Sequence, residues 1–194
     1  MTPMILASKS MSRQEMLANA GVAFACEPAN IDERSLETSM AGEAPGAIAL
    51  ALAQAKAQAV PGKGGIVLGS DSLVVMNGRR FDKPGSREQA ADHLRFFSGK
   101  VMELHSAAAL QQDGAIVWSH AETARLHVRS LGETFIGDYL DAEWPEVGHC
   151  VGVFRMEGRG VQLFERIEGD YFTVLGMPLV PVLSALRHHG VIPA

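Results

Sequence analysis

Two hydroxyls and an arginine near the start of this chain suit an anion. The apolar run Met4-Ile5-Leu6-Ala7 gives way to Ser8-Lys9-Ser10 and then to a helical stretch carrying Arg13. Backbone N–H groups at a helix start are unpaired and carry partial positive charge. Ser10 adds a hydroxyl donor, and Arg13 has a guanidinium that grips two oxygens of a phosphate at once. Carboxylates and lysines recur at later positions: Glu33, Lys56, Asp71, Lys83 and Glu157. A polyphosphate with a bound cation needs this mixture of donors and acids.

Asp71 is the most telling of these. It breaks an apolar run, with Ile66-Val67-Leu68-Gly69 before it and Leu73-Val74-Val75 after it. A carboxylate among such residues is costly to bury unless a positive group meets it. It is either a functional acid or a bulge or turn residue at a sheet edge, and its placement alone leaves the two readings level. Taken one at a time, the others also have plain readings. Glu33 and Glu157 suit solvated surface acids, Lys56 a snorkelling lysine on an Ala-rich helix, Lys83 a loop lysine before Pro84, and Arg13 a partner of a helix neighbour. The spacing defends no Ser/His/Asp triad, and His188-His189 read as cations at a helix C-terminus.

The elements that must position these groups alternate in type. The chain is expected to run from a strand at Met4–Ala7 into a helix at Arg13–Ala20, with Ser12 and Glu15 as a capping box and Gly21 as the stop. A strand at Val22–Cys26 and a polar segment at Asn30–Glu37 follow. Ala44–Ala59 has helical Ala and Leu density, with Pro45 in its first turn. Gly65–Met76 reads as a strand interrupted at Gly69-Ser70-Asp71-Ser72, and Asn77-Gly78 turns it back through Arg79–Phe81. A helix capped by Ser86 and Gln89 runs to about Phe97. Two strands flank Asp113-Gly114, a third spans Thr123–Val128, and Ser130 with Glu133 caps a helix to about Ala142. A Gly-rich region, Gly148–Gly160, precedes a strand at Gln162–Ile167 and a helix at Pro178–His189 stopped by Gly190. Strands and helices in alternation, with hairpins, give an α/β fold with a mixed sheet.

Bulk properties narrow the function. The chain has 194 residues, 47% hydrophobic and 20% charged, enough for one domain with a substantial core, and a net charge of −5. That balance argues against nucleic acid as a partner, because a basic surface usually supplies the affinity. The N-terminus lacks the pattern of a signal peptide, and the Ala-rich stretch from Ala47 to Val60 is too short and polar to span a membrane. A cytoplasmic protein is expected, with Cys26 and Cys150 as reduced, mostly buried thiols.

In order along the chain, Leu6-Ala7-Ser8-Lys9-Ser10-Met11-Ser12-Arg13, Asp32-Glu33, Lys56-Ala57, Gly69-Ser70-Asp71-Ser72, Lys83-Pro84, Ser98-Gly99-Lys100 and Gly169 through Leu179 resemble the Maf family of nucleoside triphosphate pyrophosphatases. The resemblance covers nearly the whole chain, residues 1–194, as a single Maf-like domain. It implies a mixed sheet flanked by helices, with two lobes around a deep cleft, in an anticodon-binding/ITPase-like architecture. It implies hydrolysis of a nucleoside triphosphate between the α and β phosphates, giving the monophosphate and pyrophosphate, in a house-cleaning role on noncanonical or modified nucleotides. By matching positions, Ser10 and Arg13 would bind phosphate, and Lys56 and Lys83 would neutralise the triphosphate. Asp71 would be the catalytic carboxylate, as general base or metal ligand. Glu33, Asp71 and Glu157 would face a divalent cation, Mg²⁺ or Mn²⁺. A homodimer is also implied.

The chain departs from the family pattern in places. The commoner Gly-Ala-Asp-Thr is Gly69-Ser70-Asp71-Ser72 here. Lys100 and Met102 replace an Arg and a His, and Glu157 stands where many members have Gln. These changes keep the acid and leave the preferred base open. Two other readings compete: a nucleotide-binding regulator of cell division without turnover, and a phosphatase acting on monophosphates, which would release orthophosphate.

Overall fold

The computed structural model describes residues 2–193. The elements in chain order are β1 (Met4–Leu6), α1 (Met11–Asn19), β2 (Ala25–Cys26), α2 (Glu33–Ser39), α3 (Pro45–Gln58), β3 (Ile66–Met76), β4 (Arg79–Phe81), α4 (Arg87–Phe97), β5 (Val101–Gln112), β6 (Ala115–Val128), α5 (Glu133–Glu143), β7 (Phe164–Glu168), α6 (Tyr171–Val174) and α7 (Leu179–His188). Two 3₁₀ turns lie between α5 and β7. The seven strands form one mixed sheet in the order β2-β1-β3-β5-β6-β7, with β4 paired to β3. β1 is parallel to β2 and β3, whereas β3–β4 and β6–β7 are antiparallel. Among the described residues no helix is long and apolar enough to cross a membrane.

Two compact units share the long strands. Unit 1 takes in the residues up to Ser72, His105–Thr123, and those from Asp170 onward; unit 2 takes in Leu73–Leu104 and Ala124–Gly169. In unit 1, Met4, Leu6, Ile66, Leu68, Ala108 and Leu110 point to one face of the sheet and meet Met16 and Leu17 of α1 and Val182, Ala185 and Leu186 of α7. Ile5, Ala7 and Val67 point the other way and pack with Val60. This is the period-two alternation of a strand buried on both faces. In unit 2, Phe81 packs edge-on to His93 and Phe97, and Phe154 edge-on to Phe164.

Several elements differ from expectation for identifiable reasons. α1 begins two residues earlier, because Ser10, not Ser12, is its cap: Ser10 is extended and its hydroxyl accepts the Arg13 N–H at 3.5 Å. Ser12 instead donates to the Leu175 carbonyl at 3.0 Å. The polar segment at Asn30–Glu37 contains helix α2, capped by Asp32 on the Ser35 N–H at 2.9 Å. It buries no residue, so hydrophobic periodicity carried no sign of it. β3 is one unbroken strand through Gly69-Ser70-Asp71-Ser72, so Asp71 is not a turn residue. β6 is likewise a single strand where two were expected. α5 has Gly132 as its cap with no side-chain bond, and Glu133 pairs with Arg95 of α4. α6, a single turn too short to show periodicity in the sequence, is capped by Asp170, which accepts from Phe172 and Thr173. Cys26 is exposed and Cys150 half-buried, not both buried, because β2 is a two-residue strand at the sheet edge.

Candidate functional site

The alternation of β3 sorts the site. Val67 faces the side on which α3 lies, and so do Gly69 and Asp71, two and four residues on. Gly69 makes the approach of α3 possible. A Cβ there would stand 2.1 Å from the Ala53 carbonyl oxygen and 2.5 Å from the Ala57 nitrogen, both in α3. One turn of helix backbone therefore lies directly against the strand, and Lys56 on that turn reaches Asp71. Lys56 Nζ is 2.6 Å from Asp71 Oδ1 and 2.9 Å from Glu33 Oε1, Glu33 being the first residue of α2. Asp71 is only 6% exposed, and the ammonium is what makes its burial tolerable.

Ser70 and Ser72 point to the opposite face, toward α1 and the corner after α6. The Gly176 carbonyl there accepts from Ser70 Oγ at 3.4 Å and from Arg13 Nε at 3.0 Å. Gly176 has φ +104°, a conformation that glycine adopts without strain. Arg13 Nη1 donates to the buried Ser8 hydroxyl at 3.3 Å, which also accepts the Ser10 N–H at 3.2 Å. Among the described residues Arg13 Nη2 has no hydrogen-bond partner. The guanidinium is thus held through Nε and Nη1, with Nη2 left to meet a ligand. Burial pulls its pKa below the ordinary value, while Asp71 and Glu33 pull it upward. It stays charged, because an arginine pKa starts so high.

Behind this corner runs a chain of hydrogen bonds. Ser72 Oγ lies 3.0 Å from Ser106 Oγ, and Ser106 donates to the Thr173 carbonyl at 2.8 Å. Thr173 Oγ1 donates to Glu122 Oε2 at 2.6 Å, and Glu122 Oε1 is 2.9 Å from His120 Nε2. Burial pushes the Glu122 carboxyl up, but its bonds to Thr173 and His120 outweigh this and hold it below its ordinary value.

Unit 2 carries a second group. Lys83 follows β4 and is exposed, as is Glu157 in the Gly-rich segment. Both act on the half-buried Cys150 thiol. Burial pushes that thiol up, Lys83 pulls it down and Glu157 pushes it further up. Glu143 pins the segment, accepting the Arg159 N–H at 3.2 Å, and a Cβ on Gly158 would meet its carboxylate at 3.0 Å.

A family model described as "Maf-like protein" matches residues 3–189. The chain belongs to the Maf-like family. Among Maf-like relatives, a protein named 7-methyl-GTP pyrophosphatase from Rhizobium meliloti (strain 1021) is 45% identical over 98% of both chains. One named nucleoside triphosphate pyrophosphatase from Nitrobacter hamburgensis (strain DSM 10229 / NCIMB 13809 / X14) is 43% identical, covering 98% of this chain and 95% of its own. A solved structure described as a nucleoside-triphosphatase / dITP/XTP pyrophosphatase from Mycobacterium abscessus ATCC 19977 / DSM 44196 aligns over 98% of both chains. Its identity is 14% and its TM-score 0.41, a likeness too slight to carry an argument.

Of the residues singled out in this Maf-like sequence, the structure gathers Arg13, Glu33, Lys56 and Asp71 in unit 1, with Ser10 capping the helix of Arg13. Lys83 and Glu157 belong to unit 2, around Cys150. Among the described residues no group of three or more His, Cys, Asp or Glu is arranged to hold a metal ion. Asp71 and Glu33 do aim oxygens at one point, where Lys56 Nζ now stands. That donor set fits a hard divalent cation, which takes one or two carboxylates and completes its shell with phosphate oxygens and water. Sequence reasoning missed Ser8 and Gly176 as the holders of Arg13. Ser8 stands in the opening motif, but its contact depends on the fold; the Gly176 contact is made by a carbonyl, which residue type does not reveal.

Proposed function

We propose that this protein is a nucleoside triphosphate pyrophosphatase that hydrolyses the α–β phosphoanhydride bond, with modified nucleotides among its substrates. The observation that carries this is the buried carboxylate of Asp71 on the ammonium of Lys56, within the electrostatic reach of an arginine whose Nη2 is unpaired among the described residues. The names of the 43–45% identical relatives support the same activity.

A triphosphate carries roughly four negative charges, so an attacking water must be aimed at phosphorus while that charge is cancelled. Arg13 offers its unpaired Nη2 to phosphate oxygens, supplemented by the N-terminal N–H groups of α1. Lys56 is a mobile donor that exchanges its carboxylate partners for phosphate. Asp71 is the general base: it takes a proton from the water whose oxygen bonds to the α phosphorus. The bond to the bridging oxygen breaks and pyrophosphate leaves. Asp71 and Glu33 would hold a divalent cation, Mg²⁺ or Mn²⁺, which would supply Lewis-acid charge stabilisation. Lys83 and Glu157 enter from the sequence resemblance, as a further neutralising lysine and a further acid; Lys83→Ala and Glu157→Gln test each. The resemblance likewise supplies the proposal of a homodimer, which sedimentation equilibrium tests.

The test is product analysis with a panel of nucleoside triphosphates that includes 7-methyl-GTP, with and without Mg²⁺ or Mn²⁺. Pyrophosphate with the monophosphate is expected. Orthophosphate would favour a phosphatase, and binding without any product would favour a nucleotide-binding regulator.

A further inference from the structure

Arg13 depends on a short corner of chain. α6 has only four residues, and the Gly176 that follows it has a positive φ. A single helical turn is unstable in isolation, because nucleation fixes several dihedrals for one hydrogen bond. Asp170 caps this turn, and what ties it to the sheet is Thr173, which is fully buried. Its hydroxyl donates to Glu122 of β6, and its carbonyl accepts both Ser106 Oγ of β5 at 2.8 Å and the Gly176 N–H at 3.1 Å. On the other side of the corner, the Leu175 carbonyl takes Ser12 Oγ and the Gly176 carbonyl takes Arg13 Nε. The Thr173 peptide is therefore bonded to the strands, and the residue it bonds to next carries the carbonyl that orients the guanidinium.

We propose that Thr173 and Glu122 are positioning residues for Arg13, with the 2.6 Å hydroxyl–carboxylate bond fixing the corner whose Gly176 carbonyl orients the guanidinium so that its unpaired Nη2 meets phosphate. The inference rests on the reading of Arg13 as a phosphate ligand. Neither Thr173 nor Glu122 touches substrate in it. A carboxylate acceptor makes a hydrogen bond roughly twice as strong as a neutral one, which suits a strut under a single helical turn. Glu122 is itself held by His120, so its carboxylate is oriented before Thr173 meets it.

The test compares Thr173→Val, which keeps the shape and removes the hydroxyl, with Thr173→Ser, which keeps the hydroxyl. Glu122→Leu and Glu122→Gln form a parallel pair, since Gln retains an acceptor for Thr173. Each is made in wild type and in Arg13→Ala. Two quantities are read: the Kd for inorganic tripolyphosphate by calorimetry, and kcat/KM for pyrophosphate release. Thr173→Val and Glu122→Leu are expected to weaken tripolyphosphate binding about tenfold, the value of 1.4 kcal/mol. Thr173→Ser and Glu122→Gln should restore most of it, and none should matter once Arg13 is Ala. Wild-type binding in Thr173→Val would overturn the proposal. So would an equal loss in the Arg13→Ala background, since the effect would then bypass Arg13. If one valine or leucine variant fails to fold, the other pair decides by the same criterion. Tripolyphosphate binding by wild type without pyrophosphate release would count against the enzymatic reading and leave the positioning result standing.

Discussion

Gly69→Ala is the sharpest perturbation of the site that touches none of its charged groups. The added Cβ would lie 2.1 Å from the Ala53 carbonyl oxygen, where ordinary contact begins at 3.4 Å. Strand and helix must separate by about 1.3 Å, the difference of those two values, and both clashing atoms are backbone, so no side-chain rotation relieves it. Overpacking of this kind costs about 1–3 kcal/mol or more. At about 2–4 °C per kcal/mol for a chain of this size, the melting temperature should fall by roughly 5–10 °C. The same shift carries Lys56 away from Asp71, and a misplacement of about 1 Å costs on the order of a hundredfold in rate. Differential scanning fluorimetry and pyrophosphate release measure the two effects. Gly137→Ala, in mid-α5 where a Cβ meets nothing within 4 Å, is the control; it should stabilise by about 1 kcal/mol through helix propensity. A Gly69→Ala protein that melts and turns over like wild type would refute the argument that close backbone packing builds the site.

Other outcomes follow from the same geometry. Lys56→Met leaves Asp71 and Glu33 without their shared ammonium and should cost about 3 kcal/mol, the scale of breaking a buried ion pair. Millimolar Mg²⁺ should raise its melting temperature more than that of wild type; an equal response would remove these acids as cation ligands. Because the Glu122 carboxyl is held below its ordinary 4.5, it contributes stability that is present above that pH and lost as pH falls through the folded value. Urea titrations should therefore show wild type and Glu122→Gln converging in stability below pH 4.5. With iodoacetamide at pH 8, peptide mapping should find the exposed Cys26 alkylated well before Cys150, whose thiol is half-buried and pushed up. Equal rates would contradict that assignment.

How far the sequence reveals the fold depends on what each residue answers to. Asn77-Gly78 and Asp113-Gly114 are legible because positive φ at both turn positions selects those residues: Asn77 has φ 51° and Asp113 φ 52°. α3 and α7 are legible because they carry dense apolar residues and clear ends. α2 is not, since a helix that buries nothing has no apolar stripe. In the site, the acid and the cations can be picked out by type. Their pairing is not legible, because Lys56 and Asp71 meet through the absence of a side chain at Gly69, and Arg13 is aimed by a carbonyl 163 positions away. The strand through Asp71 reads as interrupted in the sequence because Gly69-Ser70-Asp71-Ser72 has the composition of a turn. Here Lys56 neutralises it and the strand continues.

The central claim is that Asp71 does the chemistry while other groups bind. It is tested by comparing wild type and Asp71→Asn in a metal-supplemented assay for pyrophosphate release from 7-methyl-GTP, alongside calorimetric affinity for tripolyphosphate. Removing a general base costs about 10²–10⁴ in rate. The account predicts a fall of that size in the folded variant, with affinity retained. Near-wild-type turnover by folded Asp71→Asn would contradict it.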